Sequence, residues 1–162
     1  MKVLLGIGTN MGDKLDNLRT AIDSLNLVPN INVIKESCVY DTAPWGYEEQ
    51  DNFYNMVCEI ETTMTPNAIL GVCLGIETAM GRIRTVKNGP RVIDIDVLIC
   101  EGFTSDTDEL KVPHPFIGER DFVLVPMKDI YNSMNIYGFD YAESYNNIIK
   151  KSSAKKIEKS LK

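Results

Sequence analysis

Apolar residues recur along this chain with two periods, and the periods change at glycine, proline and asparagine. Val3, Leu4, Leu5 and Ile7 form a short apolar run, so residues 2–8 read as a first strand. GTNMGDK turns into a helix in which Leu15, Leu18, Ile22 and Leu25 recur at helical spacing. Asn32 to Tyr40 is expected as a second strand, and the loop DTAPWGYEEQDN follows it. Phe53 to Glu61 alternates as a third strand. Thr65 and Pro66 cap and open a helix through Met80, with Ile69, Val72, Cys73, Ile76 and Met80 on its apolar face. VIDIDVLIC, from Val92 to Cys100, is the fourth strand. Gly102 to Asp108 is expected as a hairpin loop leading into LKVPHPF. The order strand–helix–strand–strand–helix–strand predicts an α+β fold with a ferredoxin-like βαββαβ core, a mainly antiparallel sheet packed with helices.

The fourth strand carries the first chemical signal. Side chains alternate along a strand, so Asp94 and Asp96 share one face while Ile93, Ile95 and Val97 take the other. Two carboxylates with Cα atoms roughly 6.5–7 Å apart repel each other and resist burial unless a cation joins them. Magnesium prefers carboxylate and phosphate oxygens. A solvated edge strand is the bland alternative for a bare Asp-x-Asp. Against it stands the segment before the strand, where Arg82, Arg84, Lys87 and Arg91 occur without an acid and Asn88-Gly89-Pro90 marks a turn. Arginine suits multidentate contact with phosphate oxygens, so metal-assisted binding of a polyphosphate is the favoured chemistry.

Composition narrows the ligand. The formal charge is −6, and the basic stretch has no interleaved aromatics, which argues against nucleic acid as partner. With 162 residues, 44% of them hydrophobic, one compact domain is expected, here residues 1–146. Residues 147–162 hold six lysines and one acid and are expected as a frayed helix or a disordered end. No stretch is apolar enough to span a membrane. Cys38, Cys58, Cys73 and Cys100 form no C-x-x-C pair, so they are expected reduced, in a cytoplasmic protein without a zinc site.

Three further groups are candidates. His114, the sole histidine, stands between Pro113 and Pro115 with Arg120 nearby, consistent with a second phosphate-binding cluster or with a structural histidine. Glu77 precedes the basic loop on its helix and by itself reads as a solvated position. In the loop at 41–55, Thr42, Trp45, Phe53 and Asn55 offer hydrogen bonds and flat faces for a planar heterocycle; a core role for Phe53 and a loop-anchoring role for Trp45 fit the spacing equally. No Walker A sequence, kinase glycine loop or G-x-S-x-G is present. The residues alone support metal-dependent phosphoryl transfer to a planar substrate, with a nucleotide phosphohydrolase and a non-catalytic nucleotide- or pterin-sensing module as rivals.

GIGTNMGD, YDTAPWGYEEQDNFYN, GRIRTVKNGPRVIDIDVL and VPHPFIGERDFVLVP together resemble the 6-hydroxymethyl-7,8-dihydropterin pyrophosphokinase family of folate biosynthesis, in order and spacing. The most specific piece is Gly-Pro-Arg before the paired aspartates. The resemblance implies transfer of pyrophosphate from ATP to the pterin hydroxymethyl oxygen, with release of AMP. It implies that Asp94 and Asp96 hold two magnesium ions, and that Arg82 and Arg91 meet the phosphates and stabilise charge. Leu70, Glu77, Arg84, His114 and Arg120 would join the ATP site, with the backbone near Val97 and Lys111 facing adenine. Phe53 and Phe122 would sandwich the pterin, Thr42 and Asn55 would bond its polar edge, and Ala43 and Trp45 would complete that pocket. The loops near 43–51 and 82–91 would close over both substrates. A monomer is expected. Phe53 replaces a tyrosine, Pro115 an aromatic residue and Leu74 a polar residue found in other members; the basic loop is one residue shorter and lacks a tryptophan.

Overall fold

The computed structural model describes residues 1–46, 48–81, 89–158 and 161. Strand β1 (Lys2–Thr9) leads into helix α1 (Lys14–Leu27), whose start is fixed by Asp13 accepting a hydrogen bond from Asp16 N at 3.0 Å. Strands β2 (Ile31–Glu36), β3 (Val39–Thr42) and β4 (Phe53–Thr62) follow. Helix α2 (Pro66–Ala79) is capped by Thr65 with Pro66 in its first turn, as the sequence predicts, and β5 (Asp94–Cys100) closes the core motif. Beyond it lie β6 (Ser105–Asp106) and β7 (Lys111–Val112), a 3-10 turn at Ile117–Glu119, helix α3 (Asp121–Ile130), the hairpin β8 (Asn135–Ile136) and β9 (Phe139–Asp140), helix α4 (Ala142–Ile149), and β10 (Lys155–Glu158).

The main sheet runs β10-β3-β4-β1-β5, with β2 also on β4, and every pairing in it is antiparallel. Its α+β, ferredoxin-like order is the expected one. One face packs on α1 and α2 through Leu5, Ile7, Leu18, Leu25, Ile60, Ile69 and Ile95. The other packs on α3 through Leu4, Val57, Leu98, Leu124 and Met127. Burying apolar area on both faces stabilises the layers at roughly 25 cal/mol per Å².

Two expectations change. The strand foreseen from Asn32 to Tyr40 is two strands, because Ser37 interrupts the ladder: its hydroxyl accepts from Val57 N at 2.9 Å in place of a carbonyl. The lysine-rich end, foreseen as frayed helix or disordered, contributes the end of α4 and an edge strand, Lys156 pairing with Tyr40. Composition misled there, since the flanking Ala154 packs on Cys38, Tyr40 and Val125. In β4, Glu59 is 1% exposed and accepts hydrogen bonds from the Tyr131 and Tyr137 hydroxyls, a buried polar group matched from the opposite layer.

Candidate active site

The site is built around a strand with a missing side. Gly8 of β1 lies opposite Asn55 on β4 and Asp94 on β5, and Gly6 lies opposite Asp96. A Cβ on Gly8 would stand 2.3 Å from Asn55 Oδ1, and one on Gly6 would stand 3.2 Å from Leu98 Cδ1. The two glycines therefore make a bare floor between Asn55 and the aspartates, on the face that carries α3. Asn55 is 8% exposed and donates from Nδ2 to Thr42 Oγ1 at 2.7 Å, leaving Oδ1 toward the floor.

Two arginines face the two carboxylates. Arg91 Nη1 lies 3.0 Å from Asp94 Oδ2, and Arg120 Nη1 lies 3.9 Å from Asp96 Oδ2. Burial, then the neighbouring Asp94, pushes the Asp96 carboxyl up to about 7 in spite of these cations. Arg120 is itself held among rings, its guanidinium carbon 4.5 Å from the centre of Trp45 and 5.4 Å from Phe116 and from Phe122. Its Nε is buried without a hydrogen-bond partner among the described residues. Arg91 stacks 5.3 Å from Phe53 and donates from Nε to Gly89 O at 3.1 Å.

Clefts open on both sides of the aspartates. One is lined by Gly8, Ala43, Trp45, Phe53, Asn55 and Phe122. Its free volume is about 50 Å³. The other, about 420 Å³, is lined by Leu70, Glu77, Val97, Lys111, His114 and Phe116 among others. Asp94, Asp96 and Arg120 line both. The carboxylates are thus the common wall between an aromatic pocket and a larger polar cleft.

His114 enters the larger cleft as a hydrogen-bond donor. Burial, and then Arg120, lower its pKa to about 4, so the ring is neutral near pH 7. Its Nδ1 accepts from Phe116 N at 3.2 Å, which leaves the proton on Nε2.

Most predicted site residues meet here. Thr42 is buried behind Asn55 and orients it, while Ala43, Trp45, Phe53 and Phe122 line the aromatic pocket. Leu70, Glu77, Val97, Lys111 and His114 line the larger cleft, and Arg91, Asp94, Asp96 and Arg120 sit at or beside the shared wall. Arg82 and Arg84 lie outside the described residues. Two residues escape the sequence reading. Phe116 borders the larger cleft, its ring 5.8 Å from Trp45. Asn10, 3% exposed, donates from Nδ2 to Gln50 Oε1 at 2.8 Å and to Asp51 O at 3.0 Å, and accepts from Arg91 N at Oδ1 at 2.9 Å. The available signal for Asn10 was a short polar residue ending an apolar strand.

The donor set suits a hard divalent cation. Two clustered acids, one resisting ionisation, are relieved by such an ion. Among the described residues no group of three or more His, Cys, Asp or Glu could hold a metal ion. For such an ion the rest of the coordination would come from phosphate oxygens and water.

A family model described as 7,8-dihydro-6-hydroxymethylpterin-pyrophosphokinase matches residues 4–132. The chain is 46% identical over 137 residues to 2-amino-4-hydroxy-6-hydroxymethyldihydropteridine pyrophosphokinase of Methylorubrum extorquens, covering 85% of this chain and 87% of that protein. It is 40% identical over 126 residues to the Bacillus subtilis protein of the same name, covering 78% and 75%. A crystal structure of an HPPK-DHPS protein in complex with substrates superposes with a TM-score of 0.70 at 15% identity, over 92% of this chain and 43% of that one. Wild-type HPPK-DHPS of Plasmodium falciparum gives 0.65 at 13% identity, over 92% and 41%. These two likenesses bear on the fold.

Proposed function

The chain belongs to the 7,8-dihydro-6-hydroxymethylpterin-pyrophosphokinase family, and from that premise we propose how its own residues carry the reaction. It is an ATP-dependent diphosphotransferase of folate biosynthesis, passing pyrophosphate from ATP to the hydroxymethyl oxygen of 6-hydroxymethyl-7,8-dihydropterin and leaving AMP. One observation carries the assignment of roles: Asp94 and Asp96 line both clefts, the place where a phosphate chain from one side meets a hydroxyl from the other.

The pterin occupies the aromatic pocket. Phe53 and Phe122 take its two faces, with Ala43 and Trp45 beside it. Asn55 Oδ1 accepts from its amino or ring N–H, held in that rotamer by Thr42. The bare floor at Gly8 lets the ring edge reach β1. ATP lies in the larger cleft, its adenine against Leu70 and the backbone near Val97 and Lys111. His114 Nε2 donates to a phosphate oxygen, and Arg120 turns from the rings toward the same anion, a role its unpartnered Nε supports. Arg91, already beside Asp94, bonds the chain near the transferred phosphorus; Arg82 and Arg84 are assigned to the phosphates from sequence alone.

Asp94 and Asp96 would hold two magnesium ions, which would supply neutralisation of the triphosphate and polarisation of the attacking hydroxyl. The protein supplies in-line positioning and exclusion of water. No separate general base is required of the side chains. Action as a monomer is part of this reading, and four free buried cysteines support a reducing compartment such as the cytoplasm. The test is nucleotide chromatography after incubation with ATP, magnesium and the pterin. AMP formed only when pterin is present is expected; ADP, or turnover without pterin, overturns the reading.

A further inference from the structure

We infer that residues 152–156 form a strap that positions the pterin wall, with Ser152 as its key positioning residue. This rests on the assignment of the aromatic pocket to the pterin.

The wall has two parts on different elements. Helix α3 presents Phe122 in its first turn, two residues after Arg120, whereas β3 ends in Thr42, which orients Asn55. The start of α3 has no side-chain cap of its own, since Arg120 makes none. Ser152 supplies the missing fixture. Its hydroxyl donates to Asp121 Oδ2 at 2.7 Å and accepts from Ala154 N at 3.1 Å. With both its proton and a lone pair engaged, the side chain fixes α3 and the path into β10 together.

From there the segment crosses to the other half of the wall. Ala154 packs on Cys38, Tyr40 and Val125. Lys155 pairs with Asp41 and Lys156 with Tyr40, and the Lys156 ammonium stands 5.9 Å from the Tyr40 ring. Tyr40 then returns to α3: its hydroxyl reaches both oxygens of Asp129 at 3.0 and 2.9 Å, and Asp129 also accepts from Cys38 N at 3.0 Å. The path Asp121–Ser152–Ala154–Tyr40–Asp129 therefore closes on α3 at both ends and spans β3 between them. A loosened strap lets α3 drift from β3 and shifts Phe122 against Phe53. Small displacements of a stacking ring weaken binding without altering the reacting groups. The phosphate side depends less on the strap, since His114 is held by its own N–H to Leu98 O at 2.7 Å.

The experiment compares the unsubstituted chain with Ser152→Ala, Ser152→Thr and Tyr40→Phe. Trp45, the one tryptophan, lines the pocket, so its emission reports pterin binding directly, here with magnesium and an unreactive ATP analogue. Losing one hydrogen bond to a carboxylate predicts a rise of about fivefold in the Kd and KM for the pterin in Ser152→Ala. KM for ATP stays within about twofold, and Ser152→Thr restores the pterin values. Unchanged pterin binding in both Ser152→Ala and Tyr40→Phe, or an equal rise in both KM values, overturns the strap. Failure of the unsubstituted chain to release AMP overturns instead the function on which the strap rests, and the Trp45 titration then still decides whether Ser152 positions the pocket.

Discussion

Asn10 and Arg91 hold each other by reciprocal bonds: Arg91 N donates to Asn10 Oδ1 at 2.9 Å, and Asn10 N donates to Arg91 O at 3.2 Å. The same Asn10 amide also grips Gln50 and the Asp51 carbonyl. The two segments expected to close over the substrates thus share one buried anchor at the end of β1. Asn10→Ala removes three side-chain hydrogen bonds, at about 1–3 kcal/mol for each partner group left buried and unpaired. A fall in kcat/KM of at least about tenfold is expected, together with a lower Tm. Asn10→Asp keeps an acceptor for Arg91 N and loses the donor to Asp51, so its pterin KM rises while KM for ATP changes less. Steady-state kinetics with each substrate varied separately check this.

Gly8 tests the bare floor. In Gly8→Ala the new methyl meets Asn55 Oδ1 at 2.3 Å, inside any real contact, so Asn55 must leave its rotamer or the strands must part. Overpacking of this kind costs about 1–3 kcal/mol. Pterin affinity falls by about tenfold or more while ATP binding survives, as isothermal titration with each ligand checks. Equal pterin affinity in the variant removes Gly8 from the pocket.

Asp96 sets activity against stability. Its folded pKa, raised to about 7 by burial and Asp94, exceeds its ordinary value of 3.8. The folded state therefore binds more protons between those values. The stability this group contributes is fully present below the ordinary value and is lost as pH rises through about 7. Asp96→Asn removes that dependence, so in EDTA the variant melts at a higher temperature than the unsubstituted chain at pH 8, and the gap narrows toward pH 5. Turnover in magnesium drops by about a thousandfold or more, the scale for losing a charge-stabilising group at the reacting centre. Melting curves at both pH values, beside an AMP assay, measure the two effects.

Arg120 separates ring stacking from charge. Arg120→Lys keeps a cation near Asp96 and loses the planar group set among Trp45, Phe116 and Phe122. Trp45 emission in the ligand-free protein changes, and KM for ATP rises about tenfold through loss of bidentate phosphate contact. A variant with native emission and native KM removes Arg120 from both roles.

Local pattern made the core and much of the site legible. β-branched residues around Asp94 and Asp96 announced the strand, and alternation placed both carboxylates on one face, where the structure has them. Thr65 and Pro66 announced α2 for reasons internal to the segment. Features that depend on a distant partner were hidden. Ser37 breaks the expected second strand because its hydroxyl finds Val57. The basic composition of the C-terminal segment suggested disorder, yet its order comes from β3, whose vacancy no local window records. Asn10 looked like a turn residue until the opposite loop came into contact with it, and nothing local marked Glu59 as the partner of two tyrosines. Arg82 and Arg84 stay with the sequence argument, since they lie outside the described residues.

The pairing of Lys156 with Tyr40 joins residues more than a hundred positions apart, and that sets the order in which the molecule can be assembled. The β1–β4–β5 ladder with α1 and α2 needs only residues up to Cys100. The outer edge of β3 waits for a segment synthesised much later, and closing so long a loop is slow relative to local contacts. During that interval β3 presents unpaired backbone groups, the template on which chains associate wrongly. The arriving strand removes that template and replaces it with an edge bearing Lys155 and Lys156, whose charges discourage further strand addition. A nascent chain therefore passes through a period of aggregation risk that ends with its last strand, and solubility during expression depends on a segment that touches neither substrate.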